Sequence, residues 1–286
     1  MTTEPVQSHD PAVAEAPHGL PALEARLRAD LEWLELPGKP WVPTREADDR
    51  PVTDVAIIGG GMCGLAASAA LRLLGIDNQQ VLDRAPEGEE GPWATWARME
   101  TLRSPKTLAG PALGLPALTF RAWYEAQHGR AAWDALGKIP RPMWMDYLRW
   151  YRRVMQVPVR NGVSVSLLRP RADELIAVEN SAGSTILARR VVLATGRDGL
   201  GGAFVPELAR GIGRRFWAHS RDDIDFAALR GRRVAVIGAG ASAMDNAATA
   251  LEAGAASLDM FVRRRALPRV NKFTGIGSQG VVHGFA

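Results

Sequence analysis

The residues with the most chemical content are glycines. Gly59, Gly61 and Gly64 form a Gly-x-Gly-x-x-Gly pattern, directly after the apolar run Val55-Ala56-Ile57-Ile58 and directly before the alanine-rich stretch from Leu65 to Leu74. Between a strand and a helix, the first glycine of such a loop permits a tight turn. The second lets the backbone approach a pyrophosphate, and the third lets the helix pack close to the strand, while the helix N-terminus attracts phosphate charge. Asp83 ends the next short apolar run, Gln80-Val81-Leu82, where an acid accepts hydrogen bonds from ribose hydroxyls. Strand, loop, helix and acid together predict dinucleotide binding rather than a ligand-free glycine turn. A second loop, Gly238-x-Gly240-x-x-Ala243, follows Arg233-Val234-Ala235-Val236-Ile237. Alanine in the third position still permits close packing. Its next strand ends in Val262-Arg263-Arg264 in place of an acid. Arginine there suits a 2′-phosphate and predicts NADPH over NADH, the plainer alternative being a solvated basic strand end.

These loops need strands and helices to hold them. The periodicities predict a βαβ start from Asp54 to Asp83, with its helix over 65–74. Segments 163–168, 174–179 and 184–188, with a turn at Asn180-Ser181-Ala182-Gly183, read as an antiparallel meander. Val191-Val192-Leu193-Ala194 reads as a separate buried strand closing at Thr195-Gly196. A second βαβ start has its strand over 233–237, its helix over 242–253 and its next strand over 258–262. Residues 84–160 read as irregular, rich in Pro and Trp, with a helix near 142–155. Upstream, residues 1–19 have the composition of a disordered arm. Residues 21–35 carry leucines at helical spacing, and 37–52 read as a linker. The arm's helix is expected to serve as a packing accessory, a docking or dimer contact being the other reading. The expected organisation is α/β: an arm over 1–52, a Rossmann-like domain with an antiparallel meander over 53–220, and the start of a second Rossmann-like domain over 221–286.

Composition narrows the chemistry. The chain has 286 residues, 47% hydrophobic and 23% charged, enough for a sizeable core without staples. Cys63 is its single cysteine, which excludes an internal disulfide, a redox cysteine pair and multi-cysteine metal sites within the chain. His9, His18, His128 and His283 show no metal or triad spacing, and His219 is expected either to orient the linker to the second unit or to be a hydrogen-bonded linker histidine. Only Lys39, Lys106, Lys138 and Lys272 are lysines, and the net charge of +4 is spread thinly. No clustered basic face points to nucleic acid. No secretory signal or spanning run is evident, which predicts a cytoplasmic protein without a membrane segment. Trp93, Trp96, Trp123, Trp133, Trp144 and Trp150 make a tryptophan-rich middle. Core and interdomain packing is the expected role for most of them, a flat aromatic pocket the alternative.

Two such loops, separated by a meander and Ala194-Thr195-Gly196, resemble the two-dinucleotide-binding-domain flavoproteins over about residues 53–270. The resemblance implies FAD on Gly59, Gly61, Gly64 and Asp83, with Thr195 and Gly196 passing close to the flavin. It implies NAD(P)H on Gly238, Gly240, Ala243, Arg263 and Arg264. Lacking a cysteine pair and having a second loop, the chain looks like the class B flavoprotein monooxygenases. Gly91-Pro92-Trp93-Ala94-Thr95-Trp96 is similar to the family's flavin-side segment, which makes Trp96 the candidate flavin contact. Thr101 to Lys106 stands where the family has a short polar segment, with Ser104 and Lys106 as flavin-side candidates. Met143 to Tyr151 resembles a family helix, and His219-Ser220 its linker. The family fingerprint wants glycine where Arg215 stands and an aromatic where Asp223 stands, so a divergent subgroup is implied. The chemistry implied is NADPH-driven reduction of FAD, capture of O2 as a peroxyflavin and transfer of one oxygen to a small organic substrate, a nitrogen heterocycle such as urate being the suggested class. A flavin-dependent reductase without oxygen insertion and a nucleotide-binding fragment are the alternatives. Because only 24 residues follow Val262, the resemblance also implies a second domain left incomplete, with an apolar sheet edge near 234–237 or 258–262.

Overall fold

The computed structural model describes residues 19–196, 199, 201–263 and 265. Helix α1 (Gly19–Trp33) buries Leu27 and lays Leu20, Leu23 and Leu31 against the main core. Its Glu24 accepts hydrogen bonds from Arg153 and from the Trp150 indole, so this helix packs as an accessory. The expected linker is partly structured. Strands β1 (Glu46–Ala47) and β2 (Arg50–Pro51) form a tiny hairpin around Asp48 and Asp49, both at positive φ. Arg171 pairs with Asp48, and Arg45 donates to the Asp173 carbonyl, which fastens the hairpin to the meander.

Strand β3 (Thr53–Ile58) is buried at all six positions, as expected of a strand covered on both faces. It leads through the first glycine loop into α2 (Met62–Leu73) and on to β4 (Gln79–Leu82). Two helices fill the stretch read as irregular: α3 (Phe120–Ala135) and α4 (Arg141–Val154). The first went unread because Gly129, at φ 80°, breaks it and interrupts its periodicity. Thr119 caps it by accepting from the Ala122 amide. Strands β5 (Val159–Arg160), β6 (Val165–Pro170), β7 (Ile176–Asn180) and β8 (Thr185–Leu193) follow.

One six-stranded sheet results, in the order β5-β4-β3-β8-β7-β6. The first four are parallel neighbours; β8-β7-β6 is antiparallel. The third meander strand and the expected separate strand at 191–194 are therefore one element. Residues 185–188 of β8 pair with β7, and residues from Ala188 to Leu193 run beside β3. The meander is continuous with the parallel sheet, and β8 is the seam. Beyond it come α5 (Glu207–Arg210), β9 (Arg233–Ile237), α6 (Ala241–Glu252) and β10 (Ser257–Phe261), with β9 and β10 forming a parallel pair.

Four of the six tryptophans of the middle stretch settle into the core. Trp123, Trp133, Trp144 and Trp150 are all buried, packed with Phe120, Tyr147 and Tyr151 between α3 and α4. Trp93 is half-buried and meets Trp144 edge-on at 6.5 Å. On β9 and β10, Ile237 and Phe261 remain 60% and 61% exposed, in the region where an apolar edge was expected. Among the described residues no helix is long and apolar enough to cross a membrane.

Candidate dinucleotide site

The first loop is shaped by the chain's own backbone at two of its three glycines. Gly59 sits at φ +108°, and a Cβ there would lie 2.4 Å from the Ala194 carbonyl oxygen. A Cβ on Gly64 would lie 1.8 Å from the Gly59 oxygen. Side chains at either position collide with main chain that cannot move aside. Gly61 differs. Among the described residues, a Cβ there meets only the Gly91 backbone, at 3.6 Å, an ordinary contact. Gly61 is also the N-cap of α2, and no side chain caps that helix end. Nothing in the chain's own packing requires glycine at 61, and the first-turn amides lack a side-chain acceptor. That is the arrangement expected where an external anion approaches the backbone.

Asp83 stands beside this loop. Its carboxylate is buried and accepts from the Gly60 amide at 2.6 Å and the Ala85 amide at 2.7 Å. Each oxygen retains a lone pair, so Asp83 can hold the loop and still accept from a hydroxyl. Also near Gly60 lies Glu90, likewise buried, which accepts from Arg152 at 2.6 Å, Asn161 at 2.7 Å and the Gly88 amide at 3.0 Å. Sequence reasoning missed Glu90; a charged residue among acidic and glycine neighbours reads as loop surface, and only the fold brings Arg152 and Asn161 to it. Between Gly60, Gly61, Leu65, Glu90, Met145 and Arg152 lies a recess of about 60 Å³. It is far smaller than a small-molecule pocket of roughly 300–1,000 Å³.

The segment after Gly91 is held from both ends. Arg141, the first residue of α4, donates to the carbonyls of Trp93 and Met99. Trp96 lies half-buried between those two anchors. Lys106 is committed elsewhere: its ammonium donates to the Trp133, Asp134 and Leu136 carbonyls and sits 4.8 Å from the centre of the Trp133 ring. It caps the end of α3. Across the sheet, Thr195 and Gly196 follow β8, with Gly196 at φ +72°. The Ala194 amide donates to the Ile58 carbonyl at 2.9 Å, so the Ala-Thr-Gly stretch lies directly against the first loop.

The second loop repeats the geometry more loosely. Gly238 has φ +131°, and a Cβ there would touch the Ala243 Cβ at 3.5 Å. Gly240 caps α6 and has open space where a Cβ would go. Arg263 follows β10 and is exposed; Arg264 lies outside the described residues. His219 is a hydrogen-bonded linker residue, its amide donating to Asp222 and its Nδ1 accepting from the Arg221 amide. Burial alone would raise the Asp222 carboxyl, but the Arg214 guanidinium and the His219 amide outweigh it and hold the group below its ordinary range. Among the described residues no cluster of His, Cys, Asp and Glu could hold a metal ion.

A parallel strand pair joined through a glycine loop and a helix, present twice and with an acid closing the first, defines a two-loop Rossmann-like α/β protein. Residues 56–272 match the pyridine nucleotide-disulphide oxidoreductase family, and the chain belongs to that family. A FAD-dependent urate hydroxylase of Xanthomonas campestris pv. campestris is 47% identical over 269 residues, which is 93% of this chain. The chain spans 57% of that relative's length. A flavin-containing monooxygenase from Stenotrophomonas maltophilia is 28% identical, with a TM-score of 0.55 over 74% of this chain and 58% of that one. The cadaverine monooxygenase of the fire blight pathogen Erwinia amylovora, solved bound to FAD, shares the fold at 18% identity and a TM-score of 0.62, over 78% of this chain and 54% of that one.

Proposed function

We propose that this chain is the nucleotide-binding portion of a FAD-dependent, NADPH-consuming monooxygenase acting on a small nitrogen heterocycle of the urate type. The observation that carries the reading is Gly61. Its surroundings leave a glycine unexplained by internal packing, at an uncapped helix end, next to a buried carboxylate with lone pairs to spare. The relative's hydroxylase activity and the monooxygenase neighbours support the same reading.

Under it, residues 53–220 hold FAD and residues 221–286 begin the NADPH unit, in a soluble, cytoplasmic setting. The Gly61 backbone and the first amides of α2 take the pyrophosphate, and Asp83 takes the ribose hydroxyls. Thr195 and Gly196 close the loop from the β8 side, with Trp96 bordering the ring. Gly238, Gly240 and Ala243 receive NADPH, with Arg263 and Arg264 supplying charge for its 2′-phosphate. A bound flavin would supply the redox chemistry that side chains cannot, using the two electrons of NADPH and O2 so that one oxygen atom goes to the substrate and the other leaves as water. The chain's part is to fix the two nucleotides relative to each other and to keep the reacting face dry.

The test is spectral and stoichiometric. Chain reconstituted with FAD should show a bound-flavin spectrum, NADPH should bleach it without oxygen, and urate should couple NADPH use to O2 uptake. A chain that NADPH reduces, but whose oxygen uptake ignores every heterocycle offered, is a reductase. A chain that never binds FAD removes the proposal.

A further inference from the structure

Two charged side chains of one short segment reach from the first unit to the second. Arg98 donates to the Asp222 carbonyl at 3.0 Å and lies 5.4 Å from the centre of the Phe226 ring. Arg103 places one guanidinium nitrogen 2.6 and 2.7 Å from the two oxygens of Asp245. Asp222 organises the linker, its carboxylate taking Arg214 and the His219 amide. Asp245 lies in the first turns of α6, the helix that opens at Gly240. The segment itself cannot drift, because Arg141 ties the Met99 carbonyl, the Arg141 amide binds the Glu100 carbonyl, and the Leu102 amide binds the Ile139 carbonyl.

We propose that Arg98 and Arg103 are positioning residues that set the second glycine loop at a fixed distance and angle from the first. Neither need touch a nucleotide. Arg98 grips the linker through a backbone carbonyl and a ring face, and Arg103 grips α6 through charge. Asp245 is 19% exposed at its side chain and Arg103 41%, so the pair is screened by salt and can release. This rests on the two-nucleotide reading above, and the test separates the two claims.

The test uses the full chain. Arg103→Glu should speed hydrogen exchange over 241–252, and Arg98→Ala over 222–226, each about fivefold while leaving β3 protected, the size of one releasable surface contact. On the FAD-loaded chain Arg103→Glu should raise the Michaelis constant for NADPH roughly three- to tenfold, with FAD affinity within about twofold of wild type. Pairing it with Asp245→Arg should restore both, which traces the effect to this ion pair; the rise in the NADPH constant at unchanged FAD affinity is the readout that a merely structural role would not produce. Should the charge reversal fail to fold, Arg103→Gln carries the same expectation at smaller size. Unchanged exchange in either single variant, or a swap that restores nothing, overturns the proposal. If wild-type chain binds no FAD, the functional reading fails while exchange and its rescue still decide whether the contact is real.

Discussion

At the scale of single residues, the three glycines of the first loop divide by what confronts them. Gly59 and Gly64 face their own main chain at 2.4 and 1.8 Å, whereas a Cβ on Gly61 would make only an ordinary contact with the Gly91 backbone at 3.6 Å. Gly64→Ala should therefore destabilise the fold by about 3 kcal/mol, an overpacking cost with backbone on the other side. Gly61→Val should leave the unfolding midpoint nearly unchanged and abolish FAD retention, since its branched side chain occupies only the approach to the loop. Thermal melts and flavin stoichiometry on the two soluble variants check both; a Gly61→Val protein that keeps its flavin would falsify the assignment of that position. On the second loop, Arg263→Ala together with Arg264→Ala should raise the Michaelis constant for NADPH at least tenfold more than that for NADH, the scale of a charge-assisted pair. Equal use of the two cofactors by the unmutated chain excludes this role.

At the scale of elements, α1 is held to α4 by a charge pair and a leucine face. Arg153 donates to Glu24 at 2.6 Å, and the hydrogen bond to that guanidinium is the main reason the carboxyl sits below its ordinary value near 4.5. Because the folded-state value is the lower one, the contribution is fully present above that ordinary value and is lost as pH falls through the depressed one. With Arg153 60% exposed, the size is set by a screened pair, about 0.5–1 kcal/mol. Glu24→Gln should cost that much at neutral pH and nothing at strongly acidic pH, so the wild-type and variant stability curves should converge on acidification. Denaturant melts at a series of pH values read this directly, and parallel curves would refute it. The aromatic layer beneath α1 responds differently. Tyr147 donates to the Leu118 carbonyl at 2.6 Å, and burial pushes its hydroxyl well above the usual range. Below the ordinary tyrosine value near 10 it is neutral in the folded and the unfolded chain and adds no pH dependence; above it the unfolded chain ionises first and stability falls.

At the scale of the whole molecule, the two units are built unequally. The six-stranded sheet is covered on both faces around β3, whereas β9 and β10 alternate between partly buried and exposed positions. Phe261, on β10, contributes little to the core and much to the exposed apolar surface. Phe261→Lys should change stability by no more than about 0.5 kcal/mol, as surface substitutions do. It should also reduce concentration-dependent association, because a lysine blunts an open strand edge. Sedimentation at rising concentration tests this, and association that is indifferent to the substitution places the sticky surface elsewhere.

Some of this architecture was legible in the chain itself because its causes are local. Gly59, Gly61 and Gly64 between an apolar run and an alanine-rich one mark strand, loop and helix, since backbone sterics and side-chain periodicity act over a few residues. The same holds for Gly238, Gly240 and Ala243, for Asp83 at its strand end, and for the helix after Gly19. Other features depend on contacts between segments far apart in sequence. β8 reads as two strands, because its antiparallel half and its parallel half carry different patterns; only pairing with β7 on one stretch and β3 on the next makes it one. Helix α3 hides behind Gly129 and is completed by its aromatic partners on α4. Glu90, Arg98, Arg103 and Arg141 look like ordinary surface charges in a loop. Their meaning comes from Arg152, Asp222, Asp245 and the Trp93 carbonyl, each brought to them by folding. Local sterics write the loops into the sequence; long-range burial and charge pairing, which no short window contains, decide what holds them.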